Sequence, residues 1–303
     1  MDKIEESKND FISLIDTSKI KIKAKLPYIW VFGGSGENSK RNKFMKWHLT
    51  ASHDLSKHLK TPEDYPDWAN FNQYSNLVDF ELDILHISQA IIIFSEQTGA
   101  IAEIGMLSYF NELHKNILII VEEKYINYST KSFFNLGPIK KIKDNYEKSI
   151  YSLDKLNYSD KELNNTFEEI SNLIYNKITE NENMVKLDKT NKHHITIILI
   201  DIIDLFPEKN MKFYKDTLDS LNIQIETSEI KRILDLLELI EVIKSKMSGN
   251  NTLYLIRNPK EYTSCLTYQS KDNADYKNSS NCKAQKPKPF ERTEFKIRWN
   301  YNK

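Results

Sequence analysis

Apolar positions along the chain follow two rhythms. In the first half, compact apolar runs alternate with segments of helical periodicity. Tyr28-Ile-Trp-Val-Phe32 is an unbroken apolar and aromatic run ending on Gly33-Gly34, and it predicts a strand. A helix is predicted over 39–59, with Phe44, Trp47, Leu55 and Leu59 near one face. Thr61-Pro-Glu-Asp64 and Tyr65-Pro66 read as a loop, since both prolines disfavour helix. A second helix, over about 72–87, carries Leu77, Phe80, Ile84 and Ile87 and feeds into Ala90-Ile-Ile-Ile-Phe94. That continuous run is the pattern of a parallel strand covered on both faces. A helix over 98–114 and a strand over 116–121 follow. Alternation of this kind predicts an α/β fold with a parallel sheet.

Beyond about residue 145 the rhythm changes. Ser159-Asp-Lys-Glu162 is a capping box, followed by a stripe of Leu163, Phe167, Ile170, Leu173, Ile174 and Ile178. Residues 179–191 are mostly polar and read as a linker. Helices are predicted over 195–206, 211–221 and 228–239, then two β-prone runs (240–247 and 252–256) around Ser248-Gly-Asn-Asn251, a hairpin signal. Three helices followed by a hairpin is the order of a winged helix-turn-helix; a helical packing module without nucleic acid is the alternative. Residues 270–289 are polar and rich in Pro and Lys, a composition of disorder. Beyond them Arg292, Lys296 and Arg298 interleave with Phe295, Trp299 and Tyr301, which suits nucleic-acid backbone contact with stacking, or an ordinary terminal strand. The expected division is 1–180, 192–269 and a basic, partly disordered tail at 270–303. In the second domain Lys231, Arg232, Lys244 and Lys246 join the tail's Arg292, Lys296 and Arg298 as candidate nucleic-acid contacts.

Composition narrows the functional classes. The chain has 303 residues with 43 basic and 43 acidic side chains, which excludes a uniformly basic coat but not a local patch. No apolar stretch reaches the ~20 residues that cross a bilayer. The charged start, MDKIEESKND, lacks the apolar core of a signal peptide, so a cytoplasmic location without a membrane is expected. Two cysteines build neither a disulfide framework nor a Cys-type zinc site, and the seven histidines lack His-Glu-x-x-His spacing, so no metal is expected. Only seven glycines occur, where average usage gives roughly 21, and six of them lie between residues 33 and 137.

Those glycines fall in three loops at strand ends, where open α/β sheets bind ligands. Gly33-Gly-Ser-Gly36 follows Phe32 and lets backbone amides approach a ligand, although Gly34-x-Gly36-x-x-Ser39 lacks the third glycine of a dinucleotide fingerprint. The second loop, Ser95-Glu96-Gln-Thr-Gly99, leads into Glu103 and Gly105. A glycine inside a helix costs about 1 kcal/mol against alanine, so Gly105 calls for a packing reason. Glu96 and Glu103 are close enough along the chain to pair, and paired carboxylates beside a sugar are the equipment of glycosidic-bond cleavage. A glutamate stabilised by the dipole near a helix N-terminus is the alternative. The third loop contains Asn135, able to offer an amide to a base, and the turn signal Gly137-Pro138. Glu81 shares a helix face with Leu77 and Leu85, which half-buries a carboxylate.

Phe-Gly-Gly, Pro62-Glu-Asp64, Glu81-x-x-x-Leu85, Ile91-Ile-Ile-Phe-Ser-Glu96 and Gly99-x-x-x-Glu103-Ile-Gly105 together resemble nucleoside 2-deoxyribosyltransferases. The resemblance implies their flavodoxin- or Rossmann-like parallel sheet, with Glu103 as nucleophile at the anomeric carbon, Glu96 positioning it and Glu81 contacting the base. The last two are Asp in most of that family. Phe32, Gly33, Gly34, Ser35, Gly36, Glu63, Asp64, Gly99 and Asn135 would line the substrate.

The chain is more similar still to the deoxyribosyltransferase-like effectors of retrons, which share the Pro-Glu-Asp loop, the Phe-x-Glu strand end, Lys131-Ser-Phe-x-Asn-x-Gly-Pro138 and a C-terminal winged-helix-like domain. That likeness implies an antiphage toxin cleaving an N-glycosidic bond, with NAD as substrate and no cofactor. It implies restraint by a reverse transcriptase and its multicopy single-stranded DNA, and a homo-oligomer whose sites neighbouring subunits complete. A deoxyribosyltransferase, or a DNA-binding regulator that senses a nucleotide, are the other readings.

Overall fold

A computed structural model describes residues 3–23, 26–51, 54–65, 74, 76–126, 131–153, 160–180, 184–258 and 266–267. In chain order the first elements are α1 (Lys3–Leu14), β1 (Lys21–Lys23), β2 (Leu26–Phe32), α2 (Lys40–Ala51), β3 (Leu59–Lys60), α3 (Leu77–Ile87) and β4 (Ser88–Phe94). Next come α4 (Thr98–Leu107), β5 (Ile117–Glu122), α5 (Lys140–Asn145), β6 (Ile150–Leu153), α6 (Asp160–Glu180) and β7 (Met184–Lys186). The last are α7 (Lys192–Leu205), β8 (Lys209–Asn210), α8 (Met211–Ser220), α9 (Thr227–Leu239), β9 (Ile243–Ser248), β10 (Asn251–Ile256) and β11 (Leu266–Thr267).

The chain divides into two units, one of Pro27–Phe71 and Leu77–Glu182, the other of Met1–Leu26, Asn72–Asn76 and Asn183–Lys303. In the first, the apolar runs become a five-stranded sheet of order β3-β2-β4-β5-β6. Pairing is parallel, with Ile29 opposite Leu59, Ile91 opposite Ile117 and Ile119 opposite Ile150. Counted within this sheet the order is 2-1-3-4-5, that of doubly wound sheets of the flavodoxin type, whose ligand site lies at the switch between the first and third strands. Here that switch is between β2 and β4.

Alternation sorts the strand residues. Ile29, Val31, Ala90, Ile92, Phe94, Leu118 and Ile120 share a core with Phe44 of α2 and Phe167, Ile170 and Ile174 of α6. Trp30 belongs to the alternate set and is fully buried, 5.6 Å from the ring of Tyr65.

Several boundaries differ from the sequence reading. The helix expected over 39–59 ends at Ala51, and Leu59 starts the short strand β3. The helix expected over 98–114 ends at Leu107 and is replaced by a 3₁₀ turn over Asn111–Asn116. Gly137-Pro138 is not a turn: Asn135–Ile139 is π-helical and runs into α5. A wider helical turn absorbs the proline there, whose missing N–H breaks the regular ladder. Ser159 of the expected capping box, and the whole tail from residue 268, lie outside the described residues.

In the second unit α7 is buried from His193 to Leu205, so it forms the core helix, and Asn191 caps it by accepting from the amides of His193 and His194. The predicted hairpin is present. β9 and β10 pair from Ile243 opposite Ile256 to Ser248 opposite Asn251, and Gly249 turns the chain at φ 58°. β8 pairs with the other edge of β10, and the Tyr214 hydroxyl ties α8 to this sheet through the carbonyls of Phe206 and Tyr254. β1, expected with the α/β domain, is the centre of a second small sheet, antiparallel to β7 and β11. Among the described residues no helix is long and apolar enough to cross a membrane.

Gly33 is the glycine the α/β unit requires. Its φ is +143°, and a Cβ there would stand 2.9 Å from Phe94 Cβ, between the ends of β2 and β4. Gly33→Ala should therefore cost about 1–3 kcal/mol in chemical denaturation; an unchanged midpoint would contradict this close approach.

Candidate active site

The first turn of α2 sets the site's geometry. Ser39 is its N-cap: its hydroxyl accepts from the Asn42 amide at 3.1 Å and donates to the Gly34 carbonyl at 2.6 Å. The remaining amides go to Glu96, which follows β4 at the neighbouring strand end. Its carboxylate accepts from Lys40 at 2.7 Å, Arg41 at 3.1 Å and Gly34 at 3.1 Å. A helix N-terminus beside a glycine loop is a ready anion site, and here a side chain of the same chain fills it. Asn42 closes the loop further by donating to the carbonyls of Ser35 and Gly36 at 2.8 and 2.9 Å.

This changes the roles expected of the first two loops. The Gly34 amide is engaged by Glu96, and a Cβ on Gly34 would meet Ser39 and Gln97, so Gly33 and Gly34 serve close backbone packing. Gly36, Gly99 and Gly105 instead face open space, and the packing reason expected for Gly105 is absent. Glu96 anchors a helix, and the acid whose charge acts on Glu81 is Glu103.

Glu103 sits in the second turn of α4, with one carboxylate oxygen, Oε2, buried and without a hydrogen-bond partner among the described residues. An uncompensated buried carboxylate is costly. Burial is the main cause that lifts its pKa to about 7; the Arg41 guanidinium pulls the other way, and the Glu63 charge adds to the rise. Glu81, on α3 and only 7% exposed, is pushed to about 8, chiefly by burial and then by the charge of Glu103. Two acids in this state share protons as a unit. Burial thus favours the protonated form of both carboxyls, more strongly for Glu81 than for Glu103.

Arg41 was not among the residues picked from the sequence. It is 3% exposed, and one of its terminal nitrogens lies 2.9 Å from each oxygen of Glu63. A cation in the first turn of a helix opposes the dipole, and that misfit was the available sign. Asp64 is occupied locally, accepting from the Thr61 amide at 2.6 Å. Phe32 is buried at the end of β2, Ser35 is exposed, and Asn135 is buried with its backbone amide on Ser132 Oγ. A surface cleft of about 470 Å³ beside α5, lined by Leu136, Gly137, Lys140 and Lys141 among others, contains none of the candidate carboxylates. No group of three or more metal-ligating side chains occurs among the described residues.

Of the four candidate nucleic-acid contacts among the described residues, three are engaged. Lys231 pairs with Asp235 at 2.6 Å, Lys246 with Glu208 at 2.8 Å, and Arg232 lies over the Tyr74 ring at 5.1 Å. Lys244 is exposed. Arg292, Lys296 and Arg298 lie outside the described residues.

The two kinds of glutamate make opposite predictions for stability. Glu96→Gln removes charge-assisted capping and should cost about 1–2 kcal/mol. Glu81 binds its proton more tightly when folded, so its penalty is absent below the ordinary 4.5 and grows as pH rises towards about 8. Glu81→Gln should therefore raise the melting temperature at alkaline pH and leave it unchanged in acid. Destabilisation by Glu81→Gln at alkaline pH would contradict the assignment.

Comparison with known proteins identifies the family of the chain. The family described as "STM3845 retron effector protein" matches residues 37–245, which include Arg41, Glu63, Glu81, Glu96 and Glu103. The "Retron Ec73 putative ribosyltransferase/DNA-binding protein" of Escherichia coli is 29% identical over 147 residues, covering 46% of this chain and 45% of that protein. The aligned part is thus less than half of that relative's length. With more than two thirds of its length matched, the chain belongs to the STM3845 retron effector family.

Proposed function

We propose that this retron effector cleaves an N-glycosidic bond of a nucleotide, with NAD as substrate and Glu103 as nucleophile. The observation that carries the reading is the buried, unpartnered Oε2 of Glu103, with the buried Glu81 as the acid on which its charge acts. A free carboxylate oxygen in a dry site is poised for an electron-poor carbon. The cationic nicotinamide ring would favour the ionised form of Glu103 on arrival, since an opposite charge lowers a carboxyl pKa.

In the first step Oε2 bonds to C1′ of the ribose as the C1′–N bond breaks, and the electron pair neutralises the departing nicotinamide. Water then attacks C1′ and the ester bond to Glu103 breaks. ADP-ribose forms, the carboxylate is restored, and one proton passes to solvent. Neutral Glu81 offers an O–H donor and adds no second negative charge. Transfer of the ribosyl group to an acceptor other than water is the second reading, favoured by the name of the Escherichia coli relative.

The second unit has the element order of a winged helix-turn-helix: α7, β8, α8, α9, then the β9–β10 hairpin as the wing. In this reading it contacts DNA through Lys244 and the basic tail, and a reverse transcriptase with its multicopy single-stranded DNA restrains the toxin. A homo-oligomer belongs to the same proposal.

The acid–base states set the pH profile. Glu103 must be ionised, so kcat/KM should rise through about 7; Glu81 must be neutral, so it should fall through about 8. Glu81→Gln should remove the alkaline fall, and Glu103→Gln should lower nicotinamide release on the order of 10³-fold or more. Intact NAD after incubation with the full chain, alone and with its retron partners and trigger, would overturn the reading.

A further inference from the structure

The capped helix leaves an unanswered demand. A nucleotide carries at least one phosphoryl group on the ribose that presents C1′ to Glu103. The usual receptor for that group in a doubly wound sheet, the helix N-terminus after the first strand, is filled here by Glu96. The phosphoryl group needs another partner.

Arg41 meets the requirement. Its side chain is 4% exposed and its charge acts on Glu103, so a guanidinium lies at the edge of the catalytic carboxylates. A planar fork of donors suits phosphate as well as carboxylate. Asn42 Oδ1 accepts from the Arg41 Nε and one terminal nitrogen at 3.3 and 3.2 Å, and the other terminal nitrogen is taken by Glu63, whose two oxygens sit at 2.9 Å. Glu63 is a different kind of group. Its side chain is 47% exposed, on the short turn Pro62–Asp64, which Asp64 and Thr61 hold without it. A carboxylate with one end on a buried cation and its body in solvent has the geometry of a stand-in for an incoming anion.

We infer that Arg41 receives the phosphoryl group of the substrate's ribose 5′-phosphate, and that Glu63 occupies Arg41 in the empty site and is displaced by that group. The inference rests on the nucleotide reading above. It makes the pair a specificity device: a nucleoside, which has no phosphoryl group, cannot displace Glu63, and a nucleotide can.

The test is calorimetric titration of the full chain carrying Glu103→Gln, which prevents turnover, with nicotinamide mononucleotide and nicotinamide riboside. These ligands differ only in the 5′-phosphate. The mononucleotide should bind about tenfold or more tightly. Adding Arg41→Gln should abolish the difference. Adding Glu63→Gln, a half-exposed change that leaves the turn's own hydrogen bond in place, should strengthen mononucleotide binding severalfold and leave the riboside unchanged.

Equal affinity for the two ligands would overturn the inference. So would unchanged or weakened mononucleotide binding in the Glu63→Gln protein. Inorganic phosphate separates this idea from the choice of substrate. Phosphate binding that Arg41→Gln removes and Glu63→Gln strengthens supports the anion site even where neither nicotinamide compound binds, a result that would count only against NAD. Absence of binding by all three probes overturns the anion site.

Discussion

The carboxylate of Glu96 on the first turn of α2 is the interaction from which the rest of the site follows. A helix starts with amides that have no partner within it, and in a folded interior they must find one. Here one residue from the end of β4 takes two of them together with the amide of Gly34. That joins the turn after β2 to the turn after β4 across the sheet's switch point. It also explains the glycines between them: the two backbones approach so closely that a Cβ on Gly33 or Gly34 would collide.

Filling the anion position from within changes the electrostatics of everything nearby. Arg41 is the cation whose charge reaches Glu103, and it is shared with Glu63. Two carboxyls on adjacent helices, α3 and α4, are thus left to burial, and burial favours their neutral forms. Such an arrangement is poor for stability. It suits a site that must meet a positively charged leaving group with a carboxylate not yet committed to another partner.

Much of this was legible in the sequence, for physical reasons that differ by element. β2, β4 and β5 are buried on both faces, so their apolar runs are continuous and cannot be misread. β3 is two residues long, and edge strand β6 mixes Tyr151 and Ser152 with apolar positions, so neither carries a periodic signal. Gly137-Pro138 has the local chemistry of a turn, but the surrounding chain holds it in a helix. Among the acids, the burial of Glu81 followed from its helix face, and Glu103 was singled out by its spacing from Glu96 beside the strand end. The distinction between Glu96 and Glu103 did not. Both stand near a helix start; one meets the amides of α2 and the other does not, and only the fold determines which. Arg41 depends in the same way on a carboxylate 22 positions away.

In the proposed mechanism everything turns on Glu103 as the carboxylate that bonds to the anomeric carbon. A 2′-fluoro-arabino analogue of NAD slows the second step of such a reaction and lets the covalent intermediate accumulate. Peptide mass spectrometry of the full chain, treated with this analogue in the presence of its retron partners and trigger, addresses the claim directly. The expected result is a ribosyl adduct on Glu103 with one equivalent of nicotinamide released. Nicotinamide release with no adduct, or an adduct on Glu81 or Glu96, would contradict it.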